Sequence, residues 1–184
     1  STVLVLGTAS LGYAQQGAPD GAWPAYGGDA GSTKYAPLDQ INADNVDQLQ
    51  VAWQWTTSDA PVLAENDLGA GAFKATPIMV HGVLYVRTSL SLVAAIVAAT
   101  GEQLWEFDPR SWEVGRPTNL GFNTRGVAHW AGPEAEHIFV ATGSAHLWAV
   151  DARTGRPVLN FGTDGRIDLT EGLRRPVPRR AYQV

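Results

Sequence analysis

The run Gly121-Phe-Asn-Thr-Arg-Gly-Val-Ala-His-Trp130 places a guanidinium, Arg125, beside the hydrogen-bonding side chains Asn123 and Thr124 and just before Gly126. A planar guanidinium grips a carboxylate with two parallel N–H donors, a geometry that an ammonium cannot copy. A glycine after it lets another group approach the backbone closely, because there is no Cβ to keep it away. The plainer alternative is an Arg that pairs with a surface carboxylate, an interaction of small energetic value. His129, His137 and His146 share no spacing with a metal-binding pattern and are assigned to strands or surface. With no cysteine in the chain, thiolate metal sites and disulfides are excluded.

Short strands, not long helices, must position these groups. The 184 residues are 45% hydrophobic and 17% charged, a globular composition, and 20 glycines, 11 prolines and 7 tryptophans favour many tight turns. The net charge of -5, with no basic cluster larger than Arg174-Arg175 and Arg179-Arg180, carries no footprint for nucleic acid. Thr2 to Ala14 is apolar, too short to cross a bilayer, and ends in Gly12 and Ala14 like a cleavable export signal, here without an initiator Met or basic start. A buried first strand is the alternative. Residues 15–44 read as an N-terminal arm rich in turn-formers, and 45–184 as the folded unit.

Within that unit, Leu49, Val51, Trp53 and Trp55 alternate with the period of a strand, although Asn42 or Asp44 would also cap a helical turn there. Thr76 to Val86 predicts a hairpin that reverses at His81-Gly82. Further short strands are expected at 94–96, 103–107, 138–141 and 147–150, and no amphipathic helix of ten or more residues is expected. A repeat organises them. Ala95-Ile-Val-Ala-Ala-Thr-Gly-Glu-Gln-Leu-Trp105 aligns with Ala149-Val-Asp-Ala-Arg-Thr-Gly-Arg-Pro-Val-Leu159, and Trp53 precedes Trp105 by 52 residues, so a degenerate third copy ends at Trp53. A period in the low fifties is one four-stranded propeller blade, and the tryptophans at its end are expected to pack blade against blade.

The motif Ala-x-Asp-x-x-Thr-Gly-x-x-x-Trp resembles the tryptophan-docking repeat of the quinoprotein alcohol and glucose dehydrogenases. The second copy keeps its acidic residue as Asp151 and has Leu159 for Trp, whereas the first has Val97 for Asp and keeps Trp105. Trp23-Pro-Ala-Tyr-Gly-Gly-Asp-Ala-Gly-Ser-Thr-Lys-Tyr-Ala-Pro-Leu38 is similar to the opening of the mature enzymes, and Gly162 to Leu173 looks closest to the sugar-oxidising, membrane-associated branch. The resemblance runs from Trp23 to the end of the chain.

What the resemblance implies is an all-β fold, a β-propeller with about three blades of a ring of eight. It implies the N-terminal part of an exported, periplasmic enzyme that oxidises a sugar or alcohol hydroxyl with pyrroloquinoline quinone (PQQ). The electron acceptor would be ubiquinone, favoured here over a cytochrome because no haem-attachment Cys-x-x-Cys-His is present. The loop around Arg125 resembles the Asn-x-Arg-Gly-Val loop of the family, which makes Arg125 the main cofactor contact, with Gly126, Asn123 and Thr124 beside it. Three residues before the Pro of the Thr-Pro strand the family has an acidic residue facing the cofactor, and this chain has Lys74. Lys74 either pairs with a cofactor carboxylate or marks a copy that has lost the activity. The catalytic base and the calcium ligands of the family fall after residue 184, so no catalytic or metal-binding residue is assigned, and these residues alone are expected to be inactive and, with unpaired strand edges, aggregation-prone. A non-catalytic envelope scaffold and an exported sugar-binding protein are the other readings of the same repeat.

Overall fold

The computed structural model describes residues 18, 21–69, 71–118 and 120–182, so the export-signal stretch 1–14 lies outside the described residues. Among the described residues, eight strands form two antiparallel four-stranded meanders. The first sheet is β1 (Ile78–Val80), β2 (Val83–Arg87), β3 (Val93–Val97) and β4 (Gln103–Phe107). The second is β5 (Ala128–Ala131), β6 (Glu136–Ala141), β7 (His146–Asp151) and β8 (Arg166–Asp168). The expected hairpin is present, with Val80 paired to Val83 and positive φ at both His81 (51°) and Gly82 (75°), which suits the right-handed twist of the flanking strands.

Alternation along the strands explains the packing. Tyr85, Val93 and Ala95 point to one face of the first sheet and meet Ile138, Val140, Trp148 and Val150 of the second, forming the shared core. Val86, Ala94 and Ile96 point to the other face, where Trp53 and Trp55 cover them. The first sheet is therefore buried on both sides, and β3 is close to fully so.

Each Trp of the repeat docks in the same manner. The Trp105 indole Nε1 donates to the Ala152 carbonyl at 3.0 Å, and its ring lies over Gly155, where a Cβ would come within 2.6 Å of the ring. One repeat earlier, Trp53 Nε1 donates to the Ala98 carbonyl at 3.0 Å and its ring lies over Gly101 at the same 2.6 Å. A Cβ on either glycine would strike the ring, so the Thr-Gly turn is the seat and the Trp is the plug.

One expectation is corrected. The stretch 45–55 does not pair as a strand: Val46–Gln48 is a 3-10 turn, and the chain then runs extended and unpaired, with Leu49 58% and Val51 75% exposed. Only Trp53 and Trp55 of the alternating set are held, so two four-stranded blades are complete and the degenerate copy contributes a tryptophan face. A short helix, α1 (Asp59–Glu65), of seven residues also forms, within the expectation of no helix of ten or more. Its Asp59 is 3% exposed and accepts hydrogen bonds from Ser89 Oγ (2.9 Å) and the Leu90 amide (3.3 Å), and Val62 and Leu63 pack on Leu90, Leu92 and Phe122. Among the described residues no helix is long and apolar enough to cross a membrane.

Candidate functional site

The segments that lead into β1 and β5 run side by side. Ala72 and Asn123 form a parallel bridge, with the Ala72 amide donating to the Phe122 carbonyl at 2.9 Å and the Thr76 amide donating to the Arg125 carbonyl at 3.4 Å. Close approach depends on a glycine at each end: a Cβ on Gly71 would lie 2.0 Å from the Phe122 carbonyl oxygen, and one on Gly126, whose φ is +132°, would lie 3.0 Å from the Thr76 carbonyl oxygen. Phe122, 4% exposed beneath α1, pins the second segment.

This pairing brings Lys74 from one segment and Asn123 and Arg125 from the other to a cleft of about 440 Å3, completed by Tyr26 and Leu120. Alternation in the extended chain explains which residues reach it. Asn123 and Arg125 share a side, whereas Thr124 between them is 0% exposed and does not line the cleft. Gly126 does not line it either, and its close neighbour is the Thr76 backbone. Tyr26 arrives on the N-terminal arm, which is fixed to the edge of the first sheet by reciprocal backbone hydrogen bonds between Trp23 and Met79 at 2.8 and 2.9 Å. Residue type alone gives no signal for Tyr26 or Leu120: Tyr26 enters on the distant N-terminal arm, and Leu120, which directly precedes the motif, carries no polar side chain.

The electrostatics of the cleft are one-sided. Lys74 and Arg125 are exposed cations, no carboxylate lines the cleft, and neither forms an ion pair among the described residues. Asn123 contributes a buried Oδ1 with no hydrogen-bond partner among the described residues. Such a set is built to receive negative charge together with a group that can donate to Asn123. Beyond the opposite end of β1, His81 Nε2 and His129 Nε2 both contact the Glu136 carboxylate, at 3.4 and 3.1 Å, and His129 and Glu136 lie on paired strands. These contacts tie the turn of the first sheet to the second. Among the described residues no group of three or more His, Asp or Glu side chains is arranged to hold a metal ion.

Known proteins share the sequence pattern and fold of this chain. Residues 23–184 match the PQQ family, described as glucose/ethanol/alcohol dehydrogenase, beta-propeller domain. The chain is 29% identical over 178 residues to quinoprotein glucose dehydrogenase A of Acinetobacter calcoaceticus, covering 88% of this chain and 22% of the relative. It is 37% identical over 147 residues to quinohemoprotein alcohol dehydrogenase of Comamonas testosteroni, covering 77% of this chain and 18% of the relative. The crystal structure of the Comamonas testosteroni enzyme superposes on 82% of this chain and 20% of its own with a TM-score of 0.66 and 34% identity. The chain spans about a fifth of the length of the curated relatives it matches. By this match, and by blades joined through docked tryptophans, the chain belongs to the β-propeller family of the PQQ-type glucose, ethanol and alcohol dehydrogenases.

Proposed function

We propose that the two sheets form part of the cofactor face of a periplasmic quinoprotein dehydrogenase, with the 440 Å3 cleft of Tyr26, Lys74, Leu120, Asn123 and Arg125 receiving PQQ. The observation that carries the reading is the convergence of Lys74 and Arg125, from the segments that lead into two different sheets, on a cleft whose lining holds no carboxylate. PQQ presents carboxylates and a quinone on one flat frame, and when bound it supplies the two-electron acceptor that oxidises a sugar or alcohol hydroxyl. The residues fit that group. Arg125 would offer a two-pronged grip on one carboxylate, Lys74 a point charge to another, and Asn123 a side-chain amide at the cleft wall.

Lys74 in place of the family's acidic residue is, on this reading, a second anchor for cofactor charge. A calcium ion would draw its ligands, and the substrate its base, from residues outside these two sheets. The electron acceptor is assigned to the same class, ubiquinone or a cytochrome.

The experiment is cofactor titration of the whole apo-protein, followed by the absorbance of bound PQQ. Arg125→Ala is expected to weaken binding by about 10 to 100-fold, the worth of a lost charge-assisted pair. Lys74→Ala is expected to weaken it by about 10-fold. Unchanged affinity in both variants would remove the cleft from the cofactor site.

A further inference from the structure

Asn123 is a shared wall. On one side is the 440 Å3 cleft, and on the other is a cavity of about 10 Å3 lined by Arg87, Ser89, Ser91, Ser111, Asn123 and Gly143 among others, with room for about one water-sized sphere. Arg87 closes β2 and is 5% exposed. Its Nη2 donates to Ser91 Oγ at 3.0 Å, its Nε has no partner among the described residues, and no carboxylate pairs with it there. The buried carboxylate of this region, Asp59, accepts from Ser89 and Leu90 through Oδ2, its Oδ1 has no hydrogen-bond partner among the described residues, and it forms no ion pair with Arg87 there. Arginines are almost never covered to this degree without a counter-charge, and a long side chain with no such need would extend its head to solvent.

Burial pulls the Arg87 pKa down to about 10, with no neighbouring charge acting on it, and at neutral pH the group still carries its proton. A full positive charge therefore sits between the sheets without an ion-pair partner among the described residues. Asn123, whose Oδ1 is also without a partner among the described residues, lines the same cavity, and a half-turn of its amide would exchange its O and NH2 groups. A neutral water in the cavity would leave the charge of Arg87 uncompensated.

We infer that this cavity is an anion subsite, in which the Arg87 guanidinium, with the Ser91 hydroxyl and the Asn123 amide, receives a single-atom anion or one carboxylate oxygen reaching down from the cleft. The volume admits nothing as large as sulfate or phosphate. The carboxylate source rests on the cofactor reading above, whereas the halide source does not.

The test uses the whole apo-protein at constant ionic strength, with sodium chloride set against sodium gluconate, whose anion is too large for the cavity. Chloride is expected to raise Tm saturably where gluconate does not, and Arg87→Met is expected to abolish that difference. If the cofactor supplies the oxygen, chloride raises the Kd for PQQ several-fold by competition, and Arg87→Met loses about 10-fold in affinity together with the competition. If a resident halide fills the site, chloride raises Tm and leaves the PQQ Kd alone. Equal Tm in chloride and gluconate, with PQQ affinity unchanged in Arg87→Met, would overturn the assignment and leave Arg87 a packed structural cation. Should Arg87→Met not fold, the wild-type salt comparison decides, together with Arg87→Lys, which keeps a weakened chloride response. A wild-type protein that binds no PQQ sinks the cofactor reading alone, since the chloride response is read without it.

Discussion

The turn from Val97 to Gly101 in the first sheet and its copy from Asp151 to Gly155 in the second hold one backbone shape by different means. In both, the glycine amide returns to the carbonyl of the first turn residue, at 2.8 and 2.9 Å, and the glycine has positive φ, 76° and 68°. In both, a tryptophan from elsewhere lies on that glycine. In the second turn Asp151 Oδ1 also accepts from the Arg153 amide (3.1 Å), the Thr154 amide (2.8 Å) and Thr154 Oγ1 (2.8 Å), whereas the Val97 side chain can accept nothing. The difference separates what the blade requires from what reinforces it. Only glycine fits under an indole at positive φ, so that pair is kept in both copies, while the acidic residue stiffens a turn that the backbone already closes.

The largest break in the comparison is expected from the tryptophans. Trp105 lies between the sheets, with its ring 5.9 Å from Tyr85, and Trp105→Ala removes that packing and the bond to Ala152. The loss is expected to be about 3 to 5 kcal/mol by denaturant unfolding of the whole protein. Trp53→Ala should cost less, because Trp53 covers an outer face and its chain neighbours Leu49 and Val51 are exposed. Equal losses would show that both Thr-Gly seats carry the same load and that the two-sheet core adds nothing to the second.

How far the sequence anticipates this can be followed residue by residue. The repeat and the His81-Gly82 reversal are local signals with steric causes, and they place β1 to β4, β6 and β7. Two strands leave weaker traces: β5 is Ala128–Ala131, with no long apolar run, and β8 is three residues after Asp164-Gly165. Leu49 to Trp55 fails for the opposite reason, since alternation indicates a strand but pairing needs a neighbour, and only the indoles find one. In the cleft, Arg125 emerges from resemblance to a family loop and Lys74 from its place three residues before the Pro of the Thr-Pro strand, while the parallel contact that joins them depends on Gly71 and Gly126 approaching carbonyls from another segment. That tertiary fact has no periodicity.

A sharper test exchanges the reinforcement. Asp151→Ala should cost about 1 to 2 kcal/mol, the worth of its turn hydrogen bonds, and Val97→Asp should return about 0.5 to 1 kcal/mol to the first turn. Burial acts to raise the Asp151 pKa, but the Thr154 and Arg153 hydrogen bonds outweigh it and hold the carboxyl below its ordinary value of 3.8. Because the folded pKa is depressed, this stabilisation is present above about pH 4 and is lost as pH falls through the lower folded value. The gap between wild type and Asp151→Ala in unfolding experiments should therefore close on acidification. A gap that persists at the lowest pH would assign the effect to packing and not to the carboxylate.

The smallest expected effect lies at the outer strands, where the sheets differ again. β4 buries Phe107 and half-buries Trp105, while the three-residue β8 is held through Asp168, which pairs with Arg179. Arg179 also donates to the Ser144 carbonyl at 3.4 Å and stands 3.2 Å from His146 Nε2. Burial, and after it the Arg179 and Arg166 charges, hold the His146 pKa below its ordinary 6.5. A histidine so depressed stabilises the fold above about pH 6.5 and withdraws that support as pH falls through its folded pKa. Arg179→Met leaves the burial and removes one charge, so the His146 midpoint, followed by NMR, should move upward without reaching 6.5. At neutral pH the fall in Tm should be smaller than for Asp151→Ala, since the pair is partly exposed. An unmoved midpoint would mean that Arg179 does not rest against His146 in solution, and that the short strand β8 keeps its place through backbone pairing with β7 alone.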